Sequence, residues 1–229
     1  MPLVFNADHL PVPVQEYVAW VDVMGTQASM SRSLKVTANF IFKLHTAALQ
    51  APRENVRIYP VMDGFYASSA DQIQILTFLR SVFVELADEF NAMANNQHRF
   101  VIRGAIAYGP VVHGIAVPPA ASQTLGANPN YRDQVLLGMP MVQAHLGEAS
   151  APPFGLFVHE SARAFSPVGV EPFHHFWWQW VNAGNQAIWN ALMTNLDLYF
   201  DWCRQRSSRL GYSPDRIAVH REMANQFFA

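Results

Sequence analysis

Runs of apolar residues along the first half of the chain predict strands and helices in regular succession. Residues 16–23 are rich in β-branched and aromatic side chains, which favours a buried strand. Apolar positions at helical spacing then predict one helix over 29–50. Residues 55–69 predict a β-hairpin, because two short apolar runs flank the turn dipeptide Asp63-Gly64.

The same pattern continues through a second helix and a further strand. Asp71 is placed to cap a helix whose apolar positions run as far as Phe90. A strand is predicted at 99–107, after which Gly109-Pro110 predicts a turn into another extended piece. The resulting βαββαβ order is that of a ferredoxin-like sheet, so we expect an α+β fold.

The second half of the chain has a weaker pattern. Three prolines and little periodicity predict a long exposed loop over 118–134. We expect two parts, a first domain over 1–170 and an aromatic, helical extension over 171–229 packed on it. The remaining predicted elements are a helix entry at 138–148, a final strand at 155–158, a helix at 186–206 and a last short helix after Pro214.

Composition narrows the class of protein. Hydrophobic residues make up 51% of the 229 and charged residues 14%, which suits a globular chain with a sizeable core. The formal net charge is −2 and no basic stripe is visible, so we expect no nucleic-acid partner. No apolar stretch approaches the roughly 20 residues of a membrane helix, so we expect no membrane partner either.

The N-terminal segment and the single cysteine lead us to expect an intracellular protein. Residues 1–8 lack a basic start followed by a long apolar run, so we expect no signal peptide. One cysteine, Cys203, cannot form an intrachain disulfide and suits a reducing compartment. These features predict a cytoplasmic location.

Asp22 is the first candidate for chemistry. An acid near the end of a buried strand is costly unless something pairs with it. Gly25 and Thr26 follow, and they predict a turn whose backbone N–H groups can meet phosphate oxygens. The alternative is that Asp22 only caps the next helix.

Asp63, at the predicted hairpin tip, is the second candidate. Taken alone it can be an ordinary turn residue. In the βαββαβ order, however, the first strand and the hairpin are neighbours, so Asp22 and Asp63 are expected to face each other near one edge of the sheet. Two such carboxylates suit two Mn²⁺ or Mg²⁺ ions about 4 Å apart that hold a triphosphate.

Four segments together resemble the class III nucleotidyl cyclases, the family of adenylate and guanylate cyclase catalytic domains. The resemblance covers roughly residues 15–165 and implies a ferredoxin-like catalytic core, a homodimer and active sites in the interface between chains. The reaction it implies is attack of the ribose 3′ oxygen on the α-phosphorus with release of pyrophosphate. The segments are residues 21–25, 61–67, 102–114 and 137–144.

The resemblance also implies roles for individual residues. Asp22 and Asp63 would bind the two metal ions, with the Val23 carbonyl as a further ligand. The resemblance supplies no arginine at its usual place, so Arg103, on the strand beside the hairpin, is our own first candidate for a cation that stabilises charge on the triphosphate. The alternative is that Arg103 only pairs with a surface acid. The phosphates would be held by backbone N–H groups of Met24, Gly25 and Thr26.

Departures from the family pattern point to an unusual substrate. Tyr59 stands where purine cyclases carry a base-selecting lysine, and a tyrosine at that position could stack on the base or donate a hydrogen bond. Val142 and Leu146 stand near the positions of the family's Asn and Arg that act in the transition state. The pattern is similar to the bacterial Pycsar pyrimidine cyclases, which implies UTP or CTP as substrate, with UTP preferred, and a cyclic nucleotide that signals phage infection.

Two rival functions remain open. The first is an adenylate or guanylate cyclase with an atypical base pocket. The second is a catalytically silent module of this fold that binds a nucleotide or a partner. The apolar residues Val142 and Leu146 favour the silent module, whereas retention of Asp22 and Asp63 argues against it.

Overall fold

The computed structural model describes residues 4–229. Residues 1–3, which belong to the predicted first domain and to the segment assessed for a signal peptide, lie outside the described residues. Seven strands form one sheet in this part of the chain. Their bounds are β1 Val14–Val23, β2 Arg57–Val61, β3 Gly64–Ser69, β4 Ile102–His113, β5 Leu136–Gly138, β6 Leu156–Val158 and β7 Trp177–Trp178.

Ten α-helices accompany the sheet in the described residues, several of them only one turn long. The long ones begin at clear caps: the Ser33 side chain accepts from Val36 N–H, and the Asp71 side chain accepts from Ile73 N–H. The bounds of the ten helices are α1 Thr26–Met30, α2 Leu34–Gln50, α3 Gln72–Ala92, α4 Gln123–Gly126, α5 Pro129–Arg132, α6 Met139–Gly147, α7 Glu160–Ala164, α8 Gln186–Arg204, α9 Ser207–Leu210 and α10 Pro214–Phe228.

The strand order confirms the predicted α+β, ferredoxin-like core. The strands lie in the order β2-β3-β1-β4-β6-β7, and β5 pairs with the outer part of β4. In chain order β1, α2, β2, β3, α3 and β4 make the βαββαβ unit, and its strands are antiparallel to their neighbours. The hairpin therefore lies beside β1, as the sequence predicts.

Several predicted boundaries are wrong, and tertiary pairing explains the largest error. Gly109-Pro110 makes no turn, because β4 continues through it to His113. The first half of β1 pairs with this stretch, as Gln15 opposite Pro110 shows, and the ladder overrides the local turn preference. The predicted helix over 29–50 is also two helices, α1 and α2, because Ser33 starts a new helix with its own side-chain cap.

The second half of the chain contains more regular structure than its sequence predicts. The expected exposed loop over 118–134 holds α4 and α5; the Ser122 side chain caps α4, and Pro129 occupies the first turn of α5. The strand at 156–158 is followed by a further strand, β7. The helix after Pro214 is 15 residues long rather than short.

The sheet separates two apolar clusters, since alternate residues of a strand point to opposite faces. Tyr17, Ala19 and Val21 belong to the large core with α2 and α3, whereas Val18 and Trp20 belong to a smaller cluster that includes Ala144 of α6. Asp22 is two residues after Trp20 on the same strand, so its side chain is on the same face of the sheet, the one that α6 covers.

The last 59 residues contribute to the large core. Trp180 is fully buried, and its indole N–H donates to the Phe154 carbonyl at 2.8 Å. Trp189 of α8 packs edge-on against Trp180, with ring centroids 4.9 Å apart. The boundary near residue 170 stays a prediction.

None of the helices within residues 4–229 combines the length and the apolar character that a bilayer crossing requires.

Candidate functional site

Strand pairing brings Asp22 and Asp63 to the same edge of the sheet. Asp22 lies opposite Gly64 in the β1–β3 ladder, and Gly64 directly follows Asp63. A side chain at position 64 could not fit, because an ideal Cβ there would lie 2.5 Å from the Val21 carbonyl oxygen. Met62 adopts a left-handed φ of 48° that completes the tight turn. The hairpin tip is therefore held tightly against the end of β1.

Asp22 is a largely buried acid whose hydrogen bonding is incomplete. Its Oδ1 is buried and has no hydrogen-bond partner. Burial, followed by the negative charges of Glu148 and Asp63, raises the pKa of Asp22 to about 8, and the nearby Arg103 opposes this shift. Since an orphaned buried carboxylate oxygen is unfavourable, its position fits a bound cation.

Asp63 is oriented by a side chain from the loop that follows β1. The Thr26 hydroxyl donates a hydrogen bond to Asp63 Oδ2. Thr26 is itself buried, and Gly25 before it adopts a left-handed φ of 75°, which turns the chain from β1 into α1. The backbone turn thus fixes Thr26, and Thr26 fixes one carboxylate of the pair.

Arg103 lies beside Asp22 but is already engaged. It is the residue opposite Asp22 in the β1–β4 ladder, and its guanidinium forms an ion pair with Glu148, just after α6. Both side chains are about one-eighth exposed, at 12% and 13%. Glu148 was missed by sequence reasoning, because no motif marks it and only the packing of α6 on the sheet brings it here.

Fewer backbone N–H groups are available to phosphate than the sequence predicts. The Met24 N–H donates to the Val101 carbonyl at 2.8 Å, so Met24 is not free to bind phosphate, and that part of the prediction is wrong. Val23 continues the β1–β4 ladder opposite Ile102. Gly25 and Thr26 line the cavity described below.

Tyr59 occupies a different environment from the one its predicted role requires. It is only 5% exposed and lies in the small apolar cluster on the α6 face. Its hydroxyl hydrogen-bonds His113 Nδ1 at 2.5 Å, and His113 Nε2 lies 3.1 Å from Glu16 Oε1. The side chain is therefore not available to stack on a base or donate to it within this chain, and we correct that prediction.

A cavity of about 1120 Å³ opens at the end of the sheet where Asp22 lies. Its lining runs from Asp22 through Thr26 and across to the C-terminal helices α8–α10. Among residues 4–229, two acids line it, Asp22 and Glu148. The arginines that line it number six: Arg32, Arg99, Arg103, Arg206, Arg209 and Arg216. In a chain of net charge −2, this concentration of positive charge suits a multiply charged anion.

The C-terminal arginines were also missed by sequence reasoning. A weak signal existed, because Arg204, Arg206 and Arg209 follow one another closely at the end of a predicted helix. Such residues are usually solvated, and nothing local distinguishes them. Their relevance depends on where α9 and α10 fold back.

The residues present fit a divalent cation that is completed by water and substrate. Nowhere in residues 4–229 do three or more His, Cys, Asp or Glu side chains come together as a metal site. A pair of carboxylates is nevertheless the usual protein share of a Mg²⁺ site, since this ion keeps several waters and takes substrate phosphate oxygens. Asp22 and Asp63 form such a pair beside a cationic cavity.

Neither the family models nor the curated proteins include a match to this chain. Solved structures give weak similarities. The monomeric guanylyl cyclase domain of the RhoGC fusion protein from the aquatic fungus Blastocladiella emersonii aligns with a TM-score of 0.47 and 16% identity, over 66% of this chain and 85% of that chain. A bacterial light-regulated adenylyl cyclase aligns with a TM-score of 0.49 and 13% identity, over 66% of this chain and 46% of that chain. These scores and identities leave the chain without a family assignment.

Proposed function

We propose that the protein is a metal-dependent nucleotide cyclase that converts a nucleoside triphosphate to its 3′,5′-cyclic monophosphate and pyrophosphate. The observation that carries this proposal is the convergence of Asp22 and Asp63 at one sheet edge, beside a cavity rich in arginine. An acidic pair for cations and a basic lining for phosphates are the two requirements of phosphoryl transfer.

The proposed cofactors are two Mn²⁺ or Mg²⁺ ions held by Asp22 and Asp63, with the Val23 carbonyl as a further ligand. When bound, the ions would activate the 3′ oxygen and neutralise charge on the triphosphate. In the reaction, the bond from the 3′ oxygen to the α-phosphorus forms as the bond from the α-phosphorus to the bridging oxygen of pyrophosphate breaks. The 3′ hydroxyl proton is released to solvent.

The chain's own residues would orient the metal ligands and neutralise charge on the triphosphate. The Thr26 hydroxyl holds Asp63 in a fixed position, which supports a preorganised site. The free N–H groups proposed for phosphate binding are those of Gly25 and Thr26. Arg103 lines the cavity, but its guanidinium is paired with Glu148. We therefore propose that its main role is to favour the ionised form of Asp22, not to bind the triphosphate.

We further propose a pyrimidine substrate, UTP or CTP with UTP preferred, whose cyclic product serves as an antiphage signal in the cytoplasm. Position 59 supports this choice, because a purine-selecting lysine is absent and the buried Tyr59 presents no charge in its place. The buried Tyr59–His113 contact leaves base selection to other residues.

A homodimer is proposed on the basis of the outer face of α6. Met139, Val142 and Leu146 expose 60%, 49% and 69% of their surface there, which is unusual for large apolar side chains on one helix. Light scattering should give twice the mass of one chain. Leu146→Glu should give the mass of one chain with an unchanged circular dichroism spectrum; a wild-type protein of single-chain mass would exclude the homodimer.

The decisive experiment is incubation of the purified protein with Mn²⁺ and each of ATP, GTP, CTP and UTP in turn. We expect pyrophosphate and one cyclic monophosphate, with cyclic UMP or cyclic CMP formed fastest. A cyclic purine product would replace the pyrimidine assignment with an adenylate or guanylate cyclase. Absence of pyrophosphate with all four substrates would contradict the cyclase assignment.

A catalytically silent nucleotide-binding module is the second candidate. It is favoured by Val142 and Leu146, apolar and exposed where a catalytic Asn and Arg are expected. Such a module would bind triphosphate with the same metal dependence but release no pyrophosphate. The four-substrate experiment therefore separates the two functions.

A further inference from the structure

The cavity beside Asp22 has two chemically different sides. We call the arginines that face it from the loop after α1 and from the C-terminal segment the basic wall. Arg206 lies between α8 and α9, and Arg209 lies in α9. Arg216 lies in the first turn of α10, and Arg32 follows α1. The C-terminal segment thus lines the same cavity as Asp22.

Direct contacts hold the basic wall against the turn that follows β1. The Arg32 Nη1 donates to the Arg209 carbonyl at 2.7 Å. Gly211, at a left-handed φ of 63°, passes close to α1, because an ideal Cβ there would lie 3.3 Å from the Ala28 Cβ. Behind the wall, α8 is anchored in the large core through Trp189 and Phe200. The arginines are therefore placed by a packed element.

The charges of the basic wall are not neutralised by nearby acids. Within residues 4–229, none of its four arginines forms an ion pair with a carboxylate. Arg221 of α10 provides the contrast: it lies off the cavity lining and pairs with Asp197 and Asp201. Unpaired cations gathered around one cavity repel one another, and a bound polyanion would relieve that repulsion.

His220 lines the cavity and lies within reach of two arginine charges. It is 7% exposed, and its Nδ1 is hydrogen-bonded to the Tyr212 hydroxyl at 2.5 Å. Burial, followed by the charges of Arg103 and Arg216, lowers the pKa of His220 to about 4. Arg103 from β4 and Arg216 from α10 therefore act on the same point, so the basic wall and the end of β1 that carries Asp22 border a single space.

We propose that the C-terminal segment binds the polyphosphate in the same chain that supplies Asp22 and Asp63, through Arg206, Arg209 and Arg216 together with Arg32. Guanidinium groups bind phosphate oxygens in pairs of charge-assisted hydrogen bonds, which suits a triphosphate or pyrophosphate. Identifying that anion as the substrate and product of the cyclase rests on the proposed function; binding of an inorganic polyphosphate does not.

The test is calorimetric binding of inorganic tripolyphosphate to the full chain, in EDTA and at low salt, so that neither metal nor turnover contributes. The double variant Arg209→Gln/Arg216→Gln should weaken binding by about 100-fold or more, since each of the two charged hydrogen bonds lost is worth roughly tenfold or more. Arg209→Lys/Arg216→Lys should recover part of this affinity. Both side chains are exposed, so thermal unfolding should not change.

Arg204→Gln is the matched control, because Arg204 is an exposed arginine of the same segment that does not line the cavity. It should leave the affinity within about twofold, since exposed charges away from the ligand are screened. The inference is overturned if the wild type binds no tripolyphosphate, if the double variant binds as tightly as the wild type, or if Arg204→Gln weakens binding equally.

Failure of this inference can be told apart from failure of the cyclase assignment. If the double variant still forms cyclic nucleotide and binds tripolyphosphate as tightly as the wild type, the role of the basic wall is overturned and the cyclase assignment stands. Conversely, weakened tripolyphosphate binding in the double variant, in a protein that releases no pyrophosphate from any triphosphate, would overturn the cyclase assignment and support the polyphosphate site.

Discussion

The acidic edge, which consists of Asp22 and Asp63, and the basic wall are built in opposite ways, although Asp22 lines the same cavity as the basic wall. Asp22 stands on β1 and Asp63 in the tight turn before β3, where the β1–β3 ladder holds the hairpin against the end of β1, and Thr26 orients Asp63. The basic wall consists of long side chains from the loop after α1 and from the C-terminal segment, such as Arg209 and Arg216, which are exposed. A metal site needs fixed oxygens, whereas a polyphosphate tolerates several arrangements of flexible cations.

This difference implies different sensitivities to mutation. Loss of one carboxylate from a pair removes the coordination that the remaining ligand cannot restore. Loss of one arginine from a group of four leaves most of the positive potential in place. The acidic edge should therefore respond sharply to single substitutions, and the basic wall gradually.

Asp63→Ala, in the acidic edge, should lower activity more than any other substitution proposed for either side. Removal of one of the two proposed metal ligands is expected to lower the rate of pyrophosphate release by about 1000-fold or more, or ~4 kcal/mol of transition-state stabilisation. Glu54→Ala, an exposed acid before β2, is the control and should keep full activity. An Asp63→Ala enzyme that keeps a tenth of the wild-type rate would rule out this ligand.

Thr26→Val should have the next largest effect, because it deletes the hydroxyl that donates to Asp63 while preserving side-chain shape. Loss of a group that orients a metal ligand costs about 10–100-fold in metal affinity. Mn²⁺ affinity measured by calorimetry should fall by this amount in Thr26→Val and stay near wild type in Thr26→Ser. Equal affinities in the two variants would show that the hydroxyl does not orient the site.

The pH dependence of cation binding should show the state of Asp22. Because its pKa is raised to about 8, Mn²⁺ affinity should rise about tenfold per pH unit from pH 6 and level off above about pH 8. In metal-free protein the free energy of unfolding should fall between about pH 4 and pH 8, where only the folded state keeps the proton. Asp22→Asn should remove this destabilisation, and a wild-type affinity independent of pH would contradict the assignment.

Tyr59→Phe should have the smallest effect on the cavity, since Tyr59 belongs to neither side of it. The substitution leaves buried His113 Nδ1 without its partner, so the free energy of unfolding should drop by about 1–3 kcal/mol. Tripolyphosphate affinity and the choice of nucleotide should not change. Tyr131→Phe, which is 69% exposed in wild type, should leave stability unaltered. A changed substrate profile in Tyr59→Phe would return Tyr59 to base recognition.

Much of the fold could be predicted where the hydrophobic pattern is local. The hairpin at Asp63-Gly64 and the helix capped by Asp71 are confirmed, because turn and cap preferences are properties of a few neighbouring residues. Gly109-Pro110 was misread as a turn, since the pairing partner that keeps it extended lies about 95 residues earlier in the chain. Local signals thus fail where a distant strand decides the conformation.

The candidate site could likewise be predicted only where the signal is local. Asp22 and Asp63 were recognisable, because an acid in an apolar strand and an acid in a hairpin turn stand out from their neighbours. Glu148 and the arginines of the basic wall were not, since a charged residue on a helix surface is ordinary until something packs beside it. Tyr59 was assigned to the base because its sequence gives no indication of the His113 contact.

By itself, the sequence determined the βαββαβ order and the two aspartates, because periodicity and turn chemistry act over a few residues. Only the tertiary structure decided what surrounds those aspartates: Glu148 beside Asp22, Thr26 on Asp63 and the arginines of the C-terminal segment across the cavity. The physical reason is that electrostatic environment depends on distance in space, and residues more than 180 positions apart become neighbours only when α8–α10 pack on the core.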